Sequence, residues 1–173
     1  MSAVEATRVE AGAGQGHPFR RAMERRDLPA LVATLRPDVV FNSPVTSRSF
    51  VGLEEVTAVI RVIMDSFEKL EYPDEWVAGS THIVTFQGQM SGRYVEGCEL
   101  LRCDEEGRVA RIEISARPIA GVMAVASAVG PGLARDLSWF RWACLRLVTK
   151  YVPALLHAMD RAAQLVWKPR GWR

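Results

Sequence analysis

Glu99 is the carboxylate whose neighbours in the chain are least suited to water. It lies in GRYVEGCELLRCDEEGRVARIEISAR, Gly92 to Arg117, which reads as two long strands joined by the polar, glycine-containing turn Asp104-Glu105-Glu106-Gly107. Strand side chains alternate, so Val95, Gly97, Glu99, Leu101 and Cys103 share one face and Tyr94, Glu96, Cys98, Leu100 and Arg102 the other. Past the turn, Ile112, Ile114 and Ala116 form one row, opposite Glu113, Ser115 and Arg117. A carboxyl desolvated in such a row has its pKa raised and becomes an acid or base near neutrality. The expectation is a cavity in which Glu99 stands with Val95, Leu101, Ile112 and Ile114, with Thr85, Gln87, Gln89 and Asn42 close enough to orient substrate or water. The competing expectation is that Glu99 makes a hydrogen bond that only organises the core, or stands nearer the mouth in water.

The remaining titratable groups carry less. His82 falls on the strand row of Val84, Phe86 and Met90, opposite Gln87 and Gln89, and reads as a helix-packed or edge histidine; His17, before Pro18, reads as a terminal-loop residue. Glu68, Glu71, Asp74 and Glu75 surround Tyr72-Pro73 and read as a solvated rim. Cys98, Cys103 and Cys144 are odd in number and show no CxxC or Cys/His ligand spacing, so neither a disulfide framework nor a metal site is expected, and a reducing, cytoplasmic setting fits. No glycine-rich phosphate loop, GxSxG elbow or HExxH occurs, which leaves nucleotide, serine-hydrolase and zinc-protease chemistry without a foothold.

These side chains need elements to hold them. At 173 residues, 49% apolar and 24% charged, the chain has the length and composition of one globular core with appendages. Residues 1–16 carry glutamates and glycines without an apolar run and read as a disordered leader. Phe19 to Arg26 and Pro29 to Leu35 read as two short helices, with Asp27 placed to cap the second. Val39 to Ser43 is a short β-rich run. In Leu53 to Phe67 the residues Val56, Val59, Ile60, Ile63, Met64 and Phe67 recur on one helical face, which predicts an amphipathic helix packed on a sheet. Lys69 to Val77 and Thr81 to Gln89 supply two more strands. Helices followed by a run of mainly antiparallel strands predict an α+β domain, over residues 17–134, with helices on one side of a curved sheet.

The stretch PFRRAMERRDLPALVATLRPDVVFNSPVTSRSFVGLEEVTAVI, the FEKLEY segment and the VEGCELLRCDEEGRVARIEISARP hairpin together resemble the SnoaL-like branch of the nuclear transport factor 2-like superfamily, over roughly residues 18–117. The resemblance implies a cone-shaped fold that serves isomerases, epoxide hydrolases, polyketide cyclases and non-catalytic binders alike. Set against its ketosteroid isomerases, Ser43 falls at the general-base Asp, Phe19 at the oxyanion-hole Tyr and Glu99 at the protonated Asp, so only the last has a chemical counterpart. Set against its limonene epoxide hydrolases, Asn42 falls at the water-holding Asn and Val40 at the Tyr. Gln87 and Gln89 fall at the Arg and first Asp, and Ile114 at the second Asp, so the proton-carrying triad is absent. The resemblance implies a hydrophobic small molecule, polyketide-, terpenoid- or steroid-like, with cofactor-free acid/base chemistry carried by Glu99.

Gly121 to Val129 reads as a short apolar helix ended by Gly130-Pro131-Gly132, and Arg135 to Lys168 as a long amphipathic helix within a basic extension, residues 135–173. Its broad apolar face needs a cover: the domain's own cavity or sheet, a second copy in a homodimer, or a membrane surface reached by its basic residues and tryptophans. Nucleic acid is not expected, because the basic residues keep to one partly apolar helix. The alternative to an enzyme is a non-catalytic binding or assembly module.

Overall fold

The computed structural model describes residues 6–9, 16–133, 158–159 and 162. In chain order the elements are β1 (Thr7–Val9), α1 (Pro18–Arg25), α2 (Leu28–Val32), β2 (Leu35–Asn42), β3 (Phe50–Val51), α3 (Leu53–Ser66), β4 (Lys69–Glu71), β5 (Glu75–Ala78), β6 (Thr81–Met90), β7 (Arg93–Cys103), β8 (Val109–Arg117) and α4 (Ile119–Leu133). The strands make one curved sheet in the order β1-β5-β6-β7-β8-β2-β3, with β4 also on β6; β2 and β8 run parallel and the other pairs antiparallel. This is the α+β architecture expected from the sequence.

Local chemistry sets the helix ends. His17 caps α1, its Nδ1 accepting from the Phe19 amide at 3.2 Å, and Asp27 caps α2, accepting from the Ala30 amide at 3.0 Å, with a proline in each first turn. In α3 the periodic face buries Val56, Val59, Ile60 and Met64 against the sheet, each side chain stabilising the fold by roughly 1.5–3 kcal/mol. The core continues through Phe19, Leu31, Val39, Phe41, Val84, Leu101 and Ile112.

Four segments depart from the expectation. Residues 7–9, inside the supposed disordered leader, form an edge strand on β5, with Thr7 opposite Val77 and Val9 opposite Glu75. Lys69 to Val77 is broken into β4 and β5 at Tyr72-Pro73-Asp74, since a proline cannot donate to the ladder. β2 starts already at Leu35 and passes through Pro37, tolerable because its pairing with β8 shifts register between Leu35 and Val40. α4 runs on through Gly130-Pro131-Gly132 instead of stopping there. The amphipathic helix expected from Arg135 to Lys168 lies outside the described residues, apart from residues 158–159 and 162. No helix among the described residues is long and apolar enough to cross a membrane.

Candidate functional site

The hairpin between β6 and β7 decides which side chains Glu99 meets. Met90 pairs with Arg93 across Ser91 and Gly92, whose φ angles of 52° and 67° are the positive pair required by the tight turn that suits twisted strands. Counting back from that turn, Val84 stands opposite Glu99, Phe86 opposite Gly97 and His82 opposite Leu101. Facing residues share a side of the sheet. Glu99 therefore stands with Val84 and Phe86, while Thr85, Gln87 and Gln89 face the other way with Cys98, Glu96 and Tyr94. The expectation that Thr85, Gln87 and Gln89 border the cavity is corrected: a shift of one residue in phase sends the whole row to the opposite face.

On that outer face a shallow groove of about 480 Å³ runs past Thr85, Gln87, Glu96, Cys98, Ser115 and Arg117. Gln87, Glu96 and Arg117 in it are already engaged. Gln87 donates to Glu71 at 3.0 Å, Tyr94 donates to Glu96 at 2.6 Å, and Arg117 pairs with Glu96 at 2.6 Å.

β2 shows the same inversion of phase. Val39 and Phe41 are buried, Phe41 opposite Ile112, so Val40 and Asn42 turn outward and the Asn42 side-chain oxygen accepts from the Ser49 hydroxyl at 2.7 Å. Asn42 and Val40 are thus corrected as cavity residues, and Phe41 and Ser43 border the cavity in their place. Glu99 and Ile114 do border it. Phe19, Leu101 and Ile112 are buried in the adjoining core and do not line the cavity.

The cavity itself is small, about 40 Å³, room for roughly two or three water molecules, and partly open, with exposed Pro44 at its rim. Met23 of α1, Ile63 of α3 and Val122 and Val125 of α4 close it over the sheet residues Phe86, Val95, Glu99, Ile114 and Ala116, with Tyr72 from the break after β4 at its side. Glu99 is 6% exposed and Tyr72 is 4% exposed. The Tyr72 hydroxyl donates to Glu99 Oε1 across 3.4 Å, a long and weak hydrogen bond, and Oε2 is buried with no partner among the described residues. Burial pushes the Glu99 carboxyl up to about 7, only partly opposed by Tyr72, and burial next to Glu99 pushes the Tyr72 phenol well above its ordinary range. A carboxyl in that range exchanges its proton near neutral pH, and Tyr72 stays a protonated phenol whose O–H is given to Glu99. An oxygen placed beside Oε2 would meet the hydrogen-bond donor of the neutral acid.

A second buried acid went unread in the sequence. Glu75, expected on a solvated rim, is fully buried: its Oε1 meets His82 Nδ1 at 2.8 Å, its Oε2 meets Arg20 Nη1 at 3.5 Å, and the His17 amide donates to both oxygens at 3.0 and 3.1 Å. Burial by itself would raise its carboxyl, but the His82 and His17 hydrogen bonds outweigh burial and hold it below the ordinary carboxylate range. His17, expected in a loop, is likewise buried, and burial keeps its ring neutral to lower pH than usual. No local pattern announces this group, whose members lie in three separate segments, the start of α1, β5 and β6. Tyr72 was equally silent, its side-chain direction set by the chain break at Pro73.

A sequence profile of the SnoaL-like domain matches residues 18–112, from α1 into β8, and the chain belongs to that family. Among solved structures it is similar to a steroid delta-isomerase from Pseudomonas aeruginosa, at 28% identity and a TM-score of 0.64 over 69% of this chain and 88% of that one. It is also similar to an uncharacterized protein with a cystatin-like fold from Silicibacter pomeroyi DSS-3, at 21% identity and a TM-score of 0.65 over 73% and 89% of the two chains. A candidate SnoaL-like polyketide cyclase from Shewanella denitrificans OS-217 shares the fold at 12% identity and a TM-score of 0.50, over 58% and 85% of the two chains. No curated protein matches the chain.

Proposed function

We propose that this protein binds an apolar small molecule bearing one polar oxygen, of the polyketide, terpenoid or steroid kind, and moves a proton on it with Glu99 as the carrier. The observation that carries this reading is the buried, unpartnered Oε2 of Glu99, aimed into an otherwise apolar cavity. A buried carboxyl oxygen without a partner weakens the fold, and a ligand oxygen would relieve that cost. Among the described residues the cavity holds no second carboxylate or histidine to act as a base, and Tyr72 stays a donor. An isomerisation needs only one carboxylate: the ionised form of Glu99, present beside the neutral acid near pH 7, takes a proton from one carbon and, as the transient neutral acid, returns it to another. The hydrolytic alternative lacks support, since the glutamines that would hold its water lie on the outer face. No cofactor enters this chemistry.

A ligand larger than this cavity has to move one of its walls, and α4, which contributes Val122 and Val125, is the one that would act as the lid of the proposed site. Phenol and toluene, differing by a single hydroxyl, test the reading. By NMR titration of the full chain, phenol should bind about tenfold tighter than toluene and shift Val95, Ile114 and Val125, one hydrogen bond to Glu99 sufficing for that ratio. In Glu99→Leu the preference should vanish while toluene still binds. Equal binding of the two by the parent protein would overturn the assignment of Glu99 as the polar contact.

A further inference from the structure

At the end of the sheet where the β5–β6 and β7–β8 turns meet α1, one ring nitrogen each of His17 and His82 and the Cys103 thiol sulfur lie within 4.8 Å of one another. We propose that these three side chains, with the Gly107 carbonyl, form a closed site for a divalent transition metal of the zinc class. Nothing in this inference depends on the Glu99 cavity.

The distances favour it. A tetrahedral zinc with bonds of about 2.0–2.3 Å to nitrogen, oxygen and sulfur has ligand atoms about 3.3–3.8 Å apart. The sulfur of Cys103 is 3.4 Å from His17 Nε2, and the Gly107 carbonyl oxygen is 3.1 Å from the same nitrogen. Two edges of the tetrahedron are therefore already near their final length, and the His82 ring, whose nitrogen lies within 4.8 Å of the other two donors, has to close by up to about 1.5 Å.

The surroundings favour it as well. Glu75 Oε1 takes the Nδ1 side of His82 at 2.8 Å, which holds the proton on Nδ1 and leaves Nε2 with its lone pair, the carboxylate-histidine-metal arrangement that fixes a ligand's tautomer. Glu75 is fully buried, and its second oxygen is shared with Arg20, so the orienting group is itself held in place. The four donors come from the start of α1, from β6, from β7 and from the turn before β8, so a bound ion would tie α1 to this end of the sheet. A nucleophilic role for Cys103 fits less well, since burial, with Asp104 and Glu75 adding to it, pushes its thiol up to about 11.

Loading has a defined proton balance. Cys103 loses its thiol proton to solvent as the metal–sulfur bond forms. His17 shifts its ring proton from Nε2 to Nδ1, giving up both the hydrogen bond that Nδ1 accepts from the Phe19 amide and the one that Nε2 donates to the Gly107 carbonyl, and the metal bonds to Nε2 and to that carbonyl take the place of the second. With all four positions taken by protein atoms the site is structural, leaving no coordination position for substrate.

Cobalt(II) and zinc(II) added to the metal-stripped full chain test this in a Cys98→Ser/Cys144→Ser background, where Cys103 is the one thiol left. The expected result is one equivalent of cobalt bound with a thiolate-to-cobalt charge-transfer band, displaced by zinc. Zinc at a hundredfold excess over its Kd should raise Tm by roughly 5–10 °C. Cys103→Ser should lose the band, His82→Gln should bind zinc about 100-fold more weakly, and Glu75→Gln should lose roughly 10- to 100-fold. If Cys103→Ser fails to fold, Cys103→Ala and the half-exposed His82 still supply the comparison. Absence of the charge-transfer band, or zinc affinity unchanged in both Cys103→Ser and His82→Gln, would overturn the proposal and leave a hydrogen-bonded strut.

Discussion

Glu99→Gln is expected to change how stability depends on pH by about 3 kcal/mol between pH 4 and pH 8 relative to the parent, because burial holds the folded-state pKa near 7 against 4.5 in an exposed chain. The sign follows from proton counts. Below pH 4.5 both folded and unfolded states hold the proton and the group is neutral in its effect. As pH rises toward 7 the unfolded chain has released its proton while the folded one still holds it, so unfolding is favoured progressively. Above that the loss is complete and constant. Glutamine keeps the shape and has nothing to titrate, so the variant should be the more stable of the two at pH 8 by up to that amount, less whatever its amide fails to satisfy. His17 and Glu75, both held below their ordinary values, make the fold lose stability toward acid in parent and variant alike, and cancel in the comparison. Urea denaturation at intervals across this range measures it; parallel curves for parent and variant would show that Glu99 is not the buried neutral acid described.

Gly97→Ala is expected to cost about 4 kcal/mol or more, a large part of the roughly 5–15 kcal/mol that holds a domain of ordinary stability. A Cβ on residue 97 would lie 2.0 Å from the Ser115 carbonyl oxygen and 2.9 Å from Ala116 Cα, both in the main chain of β8, and 3.0 Å from the Phe86 ring. A flexible side chain could turn aside, but a paired strand cannot. Relief requires β7 and β8 to part at the position where Gly97 faces Ala116, two residues from Glu99, so the cavity wall would go with the fold. Circular dichroism melts of the purified variant check this. A cooperative transition within about 1 kcal/mol of the parent would mean that the two strands are not so closely apposed.

The sequence made α3 legible because its apolar stripe runs over several turns, and it put Glu99 on the same face as Ile114 because strand side chains alternate on both sides of one recognisable turn; the structure sets the two directly opposite. The same counting was available for β6. Ser91-Gly92 is a turn dipeptide, and treating it as the two-residue connection puts Val84 and Phe86, not Gln87 and Gln89, beside Glu99. In β2 the run VVFNS opens with three consecutive apolar residues, which leaves the phase open, and only the structure, with Phe41 buried opposite Ile112, shows that Phe41 points inward and Asn42 outward. Glu75 and its histidines were illegible for a different reason: a buried acid is recognised by its partners, and His17 is 58 residues away along the chain. Length, composition and spacing say nothing about such long-range pairing. Matching to relatives also misled at Asn42 and Val40, since a residue aligned by its motif still needs its own strand phase to reach the cavity.

The most direct measurement is a titration of the Glu99 side-chain carboxyl by carbon-13 NMR in protein labelled at glutamate, its resonance assigned by loss in Glu99→Gln. The account predicts a midpoint near 7, set apart from the solvated glutamates of the surface. A midpoint at the ordinary 4.5 would place Glu99 in water or on an unseen partner, and would remove the proton carrier on which the proposed activity rests.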